Sequence, residues 1–127
     1  MSESDNGRGP PSAQRQQGYR RGHAAEFAAA AFLIAKGHRI LARRFKTSAG
    51  EIDLIVLRAK RIGFVEVKRR ATLSACEAAM TPRLQQRVRR AADLWIAKNA
   101  RFQGHELGFD VVFVVPWRWP VHLRDGL

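Results

Sequence analysis

The chain has 127 residues, and its 23 Lys and Arg against 11 Asp and Glu give a formal net charge of +12. A single cysteine, Cys76, excludes an intramolecular disulfide framework and a zinc site built from several cysteines. No apolar run approaches the roughly 20 residues that a membrane helix needs, so we expect a cytoplasmic protein that does not bind membranes. So large a positive charge on a small domain predicts a polyanionic partner, most often nucleic acid.

The chain length allows one domain, preceded by a polar arm. Residues 1–17 are rich in Ser, Gly, Pro, Gln and Asn and lack apolar periodicity, so we expect a disordered basic arm followed by a single domain over residues 18–127. The first helix is predicted from Gly22 to Lys36, with Gly37 as its stop, because small apolar residues recur there at helical spacing. These residues are Ala25, Ala28, Phe32 and Ala35.

Three strands are predicted to follow this helix. The run Arg39–Phe45 is a strand candidate, and the runs Glu51–Leu57 (EIDLIVL) and Ile62–Lys68 (IGFVEVK) are rich in β-branched residues. Their short connection predicts an antiparallel hairpin, and a register with Ala59 and Lys60 in a two-residue turn is our hypothesis, since the turn lacks an Asn-Gly signal. A register shifted by two residues would keep the same side chains on one face as diagonal neighbours.

The second half of the chain adds a helix and one or two strands. Ala71–Met80 is predicted as a loop, and Thr81-Pro82 predicts the start of a helix that ends near Asn99. Phe109–Val115 is apolar at nearly every position and predicts an interior strand, while Trp117–Arg124 predicts an edge strand. The order of elements indicates an α/β domain with a central mixed sheet of four to five strands flanked by helices.

Carboxylates inside the predicted strands are informative, since they are rarely buried without a partner. In the register above, Asp53 lies opposite Glu66 and Glu51 lies opposite Lys68. Two opposed carboxylates repel, and a hard divalent cation such as Mg²⁺ would neutralise them, with the carbonyl oxygen of Val67 as a further ligand. Lys68 beside such an ion would hold a phosphate oxygen or assist an attacking water, as phosphodiester hydrolysis requires. The alternative is structural: a plain Glu51–Lys68 ion pair, with both other acids matched by arginines.

The residues around these acids resemble a known family. Gly50–Ile55 (GEIDLI), followed by Phe64–Arg70 (FVEVKRR), resembles the YraN-like family of bacterial proteins, which is regarded as distantly related to archaeal Holliday-junction resolvases. The similarity extends to the helix around Glu26, the helix around Gln85 and the strand that contains Asp110. It covers nearly all of the chain from residue 18 to residue 123.

The resemblance implies a restriction-endonuclease-like fold with a PD-(D/E)XK site. In that site Asp53 and Glu66 bind Mg²⁺ or Mn²⁺, Lys68 is catalytic, and Glu26 is an auxiliary acid. The alternative for Glu26 is an ordinary ion pair with Arg or Lys on the helix surface. The resolvase resemblance also suggests a homodimer, because two strands of a branched DNA must be cut.

Basic and aromatic residues surround the predicted site. The candidate nucleic-acid contacts are Arg69, Arg70, Arg83, Gln85 and Arg87, which would neutralise phosphates without selecting a sequence. Trp117 and Trp119 either cover the sheet edge or stack on bases, whereas Trp95 fits the core stripe of its helix. Asp110 is expected to pair with a basic residue. The chain departs from its relatives at Leu84 and Gly108, where they often carry Lys and Arg.

The leading hypothesis is therefore a metal-dependent nuclease that acts on DNA, with a branched or otherwise structured duplex as its substrate. The alternative is a nucleic-acid-binding or assembly module that uses a nuclease-like scaffold without turnover.

Overall fold

The computed structural model describes residues 13–127, with side chains from residue 23 onward. The first helix, α1, spans Ala13–Ala35, so it begins before the predicted start at Gly22. This start was missed because the sequence over residues 13–22 is polar and has no apolar stripe. Residues 13–17 of the predicted arm are therefore helical, whereas residues 1–12 lie outside the described residues and their disorder stays a prediction.

The end of α1 follows the prediction. Gly37 has a φ of 93°, a left-handed conformation that glycine adopts without a Cβ clash. The N–H of His38 then donates to the carbonyl oxygen of Leu33 at 3.0 Å, which closes the helix end.

Five strands form one sheet. They are β1 (Arg39–Lys46), β2 (Glu51–Arg58), β3 (Arg61–Arg69), β4 (Glu106–Val114) and β5 (Val121–Leu123). Their order across the sheet is β1-β2-β3-β4-β5, and every neighbouring pair is antiparallel except β3 and β4, which run parallel. This confirms the predicted α/β class with a mixed sheet flanked by helices and an interior β4, an arrangement compatible with a restriction-endonuclease-like fold.

The β2–β3 hairpin has the predicted register. Its pairs run from Arg58 opposite Arg61 to Leu54 opposite Val65, with a two-residue turn between the strands. Ala59 in this turn has a φ of 54°, which costs an alanine about 1 kcal/mol and is tolerated because the flanking strands define the turn.

The parallel β3–β4 pair requires a crossover, and the crossover holds two helices. The first, α2 (Leu73–Ala78), lies where a loop was predicted over Ala71–Met80, so that prediction is wrong. Thr72 caps α2 by accepting a hydrogen bond from the N–H of Ala75 at 3.1 Å. A helix this short spans too few residues to show an apolar period.

The second crossover helix, α3 (Pro82–Lys98), begins and ends close to the prediction. Its first turn is capped by Thr81, whose hydroxyl accepts from the N–H of Leu84 at 3.2 Å. A 3₁₀ turn, Ala100–Phe102, then leads toward β4.

Alternate residues of the strands bury against different helices. Leu54, Val56, Val65 and Val112 pack with Ala29 and Leu33 of α1. Ile55, Phe64, Val111 and Phe113 pack with Val88 and Trp95 of α3, which confirms the core position predicted for Trp95. The sheet is thus covered by α1 on one face and by α3 on the other. Among the described residues, no helix has the length and apolarity that a membrane span needs.

Candidate active site

Asp53 and Glu66 come together where the β2–β3 hairpin opens. The backbone pairs extend as far as Leu54 and Val65, and beyond them the Asp53 carboxylate accepts a hydrogen bond from the N–H of Val67 at 2.8 Å. The carboxyl groups of Asp53 and Glu66 line the same small cavity, and each affects the pKa of the other. A side chain thus replaces a backbone partner and holds one acid against the other.

Lys68 contacts Glu66. Its Nζ lies 3.0 Å from Glu66 Oε2, because residues two apart on a strand share a face. The predicted ion pair between Glu51 and Lys68 is therefore wrong: the partner that the structure gives Glu51 is Lys46, at 4.0 Å. The register that predicted the pair is not continued by backbone pairing beyond Leu54.

The two acids favour binding of a positive charge. Burial, together with the charge of Glu66, raises the pKa of Asp53 to about 8. Burial also raises the pKa of Glu66, although the ammonium of Lys68 opposes this effect. A site that makes carboxylates this basic attracts either a proton or a metal cation.

Glu26 forms the ion pair that was its structural alternative. Its carboxylate forms an ion pair with Arg44 Nε at 3.0 Å, the structural alternative considered above. Its negative charge also contributes to the raised pKa of Asp53, so the helix does bring a third acid toward the pair. Because Arg44 already neutralises Glu26, a direct role for this acid stays a prediction.

A small cavity of about 160 Å³ opens beside the acids. It is lined by Glu51, Asp53 and Glu66 from the hairpin and by Leu84 and Arg87 from α3. Gly50 permits this arrangement, since a Cβ there would lie 3.2 Å from both the Cβ and the carbonyl oxygen of Arg87. The glycine of the GEIDLI motif therefore allows α3 to approach the hairpin closely at Arg87, a residue that lines the cavity.

The donor set fits a hard divalent cation. Residues 13–127 contain no group of three or more His, Cys, Asp or Glu side chains placed to hold a metal, so any ion there has two carboxylate ligands at most. Mg²⁺ is commonly held by one or two carboxylates and completes its shell with water and substrate oxygens. Asp53 and Glu66 meet this requirement, and the carbonyl oxygen of Val67 as a third ligand stays a prediction.

Of the predicted nucleic-acid contacts, some adjoin the acid pair along the chain or line its cavity, and others do not. Arg69 and Arg70 directly follow Lys68 on the chain, and Arg87 lines the cavity. Arg83 is exposed and Gln85 half-buried on α3, and neither lines the cavity.

Two tryptophans are exposed in the segment that follows the carboxyl end of β4. Trp117 and Trp119 are 102% and 84% exposed, so the prediction that they cover the sheet edge is wrong. They follow β4 closely, and the end of β4 meets the site strand where the N–H of Arg70 donates to Val114 O at 3.3 Å. The alternative prediction, stacking on bases, remains.

Asp110 lies outside this site and pairs with a basic residue, as predicted. Arg61 donates to both of its carboxylate oxygens, at 2.9 and 2.8 Å. Sequence reasoning did not identify Arg61 or His122, which also contacts Asp110 at 3.3 Å. Arg61 on β3 and His122 on β5 reach Asp110 because their strands pair with β4 on either side. No short sequence motif indicates that pairing.

Comparison with known proteins gives the family. A model of the uncharacterised protein family UPF0102 matches residues 25–114. A UPF0102 protein of Mesorhizobium japonicum is 49% identical over 116 residues, covering 91% of this chain and 93% of the relative. A UPF0102 protein of Rhodopseudomonas palustris is 52% identical over 114 residues, covering 90% and 87%. These names give a family and no activity, so any catalysis must be argued from the site. The chain belongs to the UPF0102 family, which is the YraN-like family that its GEIDLI and FVEVK motifs resemble.

Proposed function

We propose that this protein is a metal-dependent nuclease that hydrolyses phosphodiester bonds in DNA, including branched or structured DNA. The observation that carries the proposal is the juxtaposition of Asp53 and Glu66, with Lys68 Nζ 3.0 Å from Glu66, beside a cavity that Arg87 also lines. The two acids, a lysine in contact with one of them and an arginine that lines the adjacent cavity supply the groups that phosphodiester hydrolysis needs.

Each residue has a distinct task in this proposal. Asp53 and Glu66 hold Mg²⁺ or Mn²⁺, which activates water and neutralises charge on the phosphate when it is bound. The hydrogen bond from the N–H of Val67 orients Asp53. Lys68 donates to a phosphate oxygen or to the attacking water, and Arg87 attracts the phosphate from the α3 side.

The surrounding charge supports a nucleic-acid substrate. The +12 net charge favours a polyanion, and Arg69, Arg70 and Arg83 extend the positive charge of the chain around the site. Arg87 stands one helical turn from Leu84, where relatives often carry a cation, and so compensates for that departure.

Two further expectations belong to this proposal. Cytoplasmic location is consistent with Cys76, which is a free and buried thiol. A homodimer rests on the resolvase resemblance.

The first test is a metal titration. Mn²⁺ and Mg²⁺ are titrated by calorimetry into the wild type and Asp53→Asn, and the fold of each is checked by circular dichroism. Asp93→Asn is the matched control, because Asp93 is an exposed carboxylate on α3 away from the cavity. We expect binding in the wild type and the control and loss in Asp53→Asn. Equal binding in all three proteins would show that the acid pair is not the metal site.

The second test is cleavage. Single-stranded, duplex and branched DNA are incubated with Mn²⁺ and each protein. Cleavage by the wild type and Asp93→Asn, and its absence in Asp53→Asn and Lys68→Ala, is the expected pattern. Full activity in Asp53→Asn would refute the mechanism.

One observation favours a non-catalytic alternative. Asp53 already accepts from Val67, and Glu66 already pairs with Lys68, so both acids have a partner without a metal. A nucleic-acid-binding module would bind DNA with the salt dependence of phosphate contacts, and added Mn²⁺ would not change its affinity. Calorimetry that detects no metal in the wild type, with DNA binding intact, would favour this alternative.

A further inference from the structure

A second cavity lies at the other end of the β2–β3 hairpin, around its turn. Its volume is about 670 Å³, within the range of roughly 300–1,000 Å³ typical of ligand sites. It is bounded by the end of α1, the hairpin turn, the start of β4 and the segment around β5. We call it the turn cleft, and it shares no lining residue with the cavity at the acid pair.

The turn cleft is strongly basic. Of the residues with described side chains, five cations line it, against one carboxylate. The cations are Lys36, Arg58, Lys60, Arg61 and Arg124, and the carboxylate is Glu106. Cations crowded around one concave surface repel each other and raise the local concentration of anions. The ligand that such a surface fits is an anion with more than one charge.

Arg61 has a buried donor that forms no hydrogen bond. Its terminal nitrogens are held by Asp110 and Asp125, but its Nε has no hydrogen-bond partner in the described part of the chain. The nearest carboxylate oxygen, from Glu106, is 3.6 Å away. A buried donor without a partner is costly, and an oxygen of a bound anion would satisfy it.

Lys36 is positioned by the same buried acid. Its Nζ lies 3.0 Å from His122 Nδ1, and the other ring nitrogen of His122 lies 3.3 Å from Asp110. An ammonium can only donate, so Nδ1 accepts and the Nε2–H of His122 donates to Asp110. Asp110 therefore orients Arg61 directly and Lys36 through His122. Cations that are held in place before binding lose less entropy when an anion arrives.

We propose that the turn cleft is a second phosphate-binding site, and that it holds the sugar-phosphate backbone of a polynucleotide that also reaches the acid pair. This inference rests on the proposed function. Among the residues with described side chains, no Phe, Tyr or Trp lines the cleft, which favours phosphate contacts over base stacking. Arg61 and Glu66 are separated by about 16 Å along β3 at roughly 3.3 Å per residue. A DNA duplex advances about 3.4 Å per nucleotide of each strand, so a duplex that reaches both sites spans about five nucleotides, and the proposed ligand is a polynucleotide and not a free nucleotide.

The test removes two cations from the cleft and two from elsewhere. Arg58 and Lys60 are exposed on the turn, so Arg58→Ala/Lys60→Ala keeps the buried network. The control is Lys98→Ala/Arg101→Ala, which removes the same charge from residues that line neither cavity. Binding of a fluorescent DNA duplex is measured by anisotropy in EDTA over a salt series. We expect the slope of log K against log salt to fall by about 0.9 for each lost phosphate contact in the cleft variant, and to stay near wild type in the control.

A second variant, which is expected to bind DNA more tightly, tests the cleft with a result that misfolding cannot produce. Glu106→Gln removes the carboxylate found among the described residues that line the cleft, and we expect it to tighten duplex binding several-fold. The histidines localise the effect by NMR: the chain has four, and His38 and His122 line the cleft whereas His105 does not. The His122 ring signals are expected to shift when duplex is added, with His105 as the internal reference.

The outcomes separate the two proposals. If the wild type binds duplex but the cleft variant and its control have the same slope, the turn cleft is not a phosphate site and the proposed nuclease function stands. If inorganic pyrophosphate shifts the His122 signals and duplex does not, the cleft binds a free phosphate compound and the polynucleotide assignment is overturned. If the wild type binds no nucleic acid at low salt, the proposed function fails as well.

Discussion

Replacing Gly108 with alanine should displace Arg61 from its partner. The parallel register places Gly63 beside Gly108 on β3 and β4, and the Arg61–Asp110 pair lies over both glycines. A Cβ built at Gly108 would overlap the guanidinium of Arg61, and one at Gly63 would lie 2.9 Å from Asp110 Oδ2. Because Arg61 is flexible but buried, the methyl group forces it away and the cost is the loss of the ion pair.

The magnitude follows from the burial of Asp110. Its exposed fraction is 0%, and it would lose hydrogen bonds of 2.9 and 2.8 Å from Arg61. Breaking a buried ion pair by removing one partner costs about 3–5 kcal/mol. His122 and the N–H of Asp125 continue to donate to Asp110, so we expect a value near the low end, about 3 kcal/mol. This is a large part of the total stability of an ordinary domain, which is roughly 5–15 kcal/mol.

A double-mutant cycle measures this coupling. The free energy of unfolding in urea is determined at pH 7 for the wild type, Gly108→Ala, Arg61→Ala and the double variant. We expect Gly108→Ala to cost about 3 kcal/mol in the wild type and less than about 1 kcal/mol when Arg61 is absent. Gly104→Ala is the control for backbone strain alone, since a Cβ there meets nothing within 4 Å but the φ of 90° is strained. An equal cost of Gly108→Ala in both backgrounds would refute the reasoning.

Three further predictions follow from named contacts. Burial alone would raise the pKa of Asp110, but hydrogen bonds led by that from Arg61 outweigh it and hold this pKa well below its usual value near 4. The carboxylate therefore stabilises the fold above about pH 4, and this stabilisation is lost as the pH falls. In Asp110→Asn, the free energy of unfolding in urea should fall less steeply as the pH is lowered below about 4. An equally steep fall in the variant and the wild type would contradict this. Thr81→Ala removes the cap on Leu84 N–H and should cost about 1 kcal/mol by thermal unfolding, and no loss would show that the cap is replaceable. Trp117→Ala/Trp119→Ala should change the free energy of unfolding by less than about 0.5 kcal/mol, because both side chains are exposed. The variant should bind single-stranded DNA more weakly than the wild type does, with a smaller loss for duplex. Equal affinities of variant and wild type for single-stranded DNA, measured by anisotropy, would exclude base stacking.

Local sequence patterns predicted the hairpin, the start of α3 and the pairing of the two acids. The β2–β3 hairpin was predicted to the residue, since two β-rich runs with a two-residue connection allow few registers. Thr81-Pro82 predicted the start of α3 because a cap and a proline act within one helical turn. That register also brought Asp53 and Glu66 together, as the structure does.

The side-chain contacts within the site could not be predicted from the sequence. Lys68 contacts Glu66 instead of Glu51, because the backbone ladder is not continued past Leu54 and an Asp53 oxygen bonds the N–H of Val67 in its place. A competition between a side chain and the backbone for one N–H depends on geometry that strand alternation does not describe.

The order of the strands along the chain, the hairpin register, the caps and the proximity of the two acids follow from local sequence, since each depends on one short stretch of chain. The parallel placement of β4 beside β3 follows a long crossover and is set by packing, and it is this placement that brings Arg61, Asp110 and His122 together. The close packing of α3 at Arg87 against Gly50, and the room that Gly108 leaves for Arg61, are likewise set by tertiary packing. These contacts join residues far apart in the chain, and their energies depend on the packing of whole elements, which no local pattern encodes.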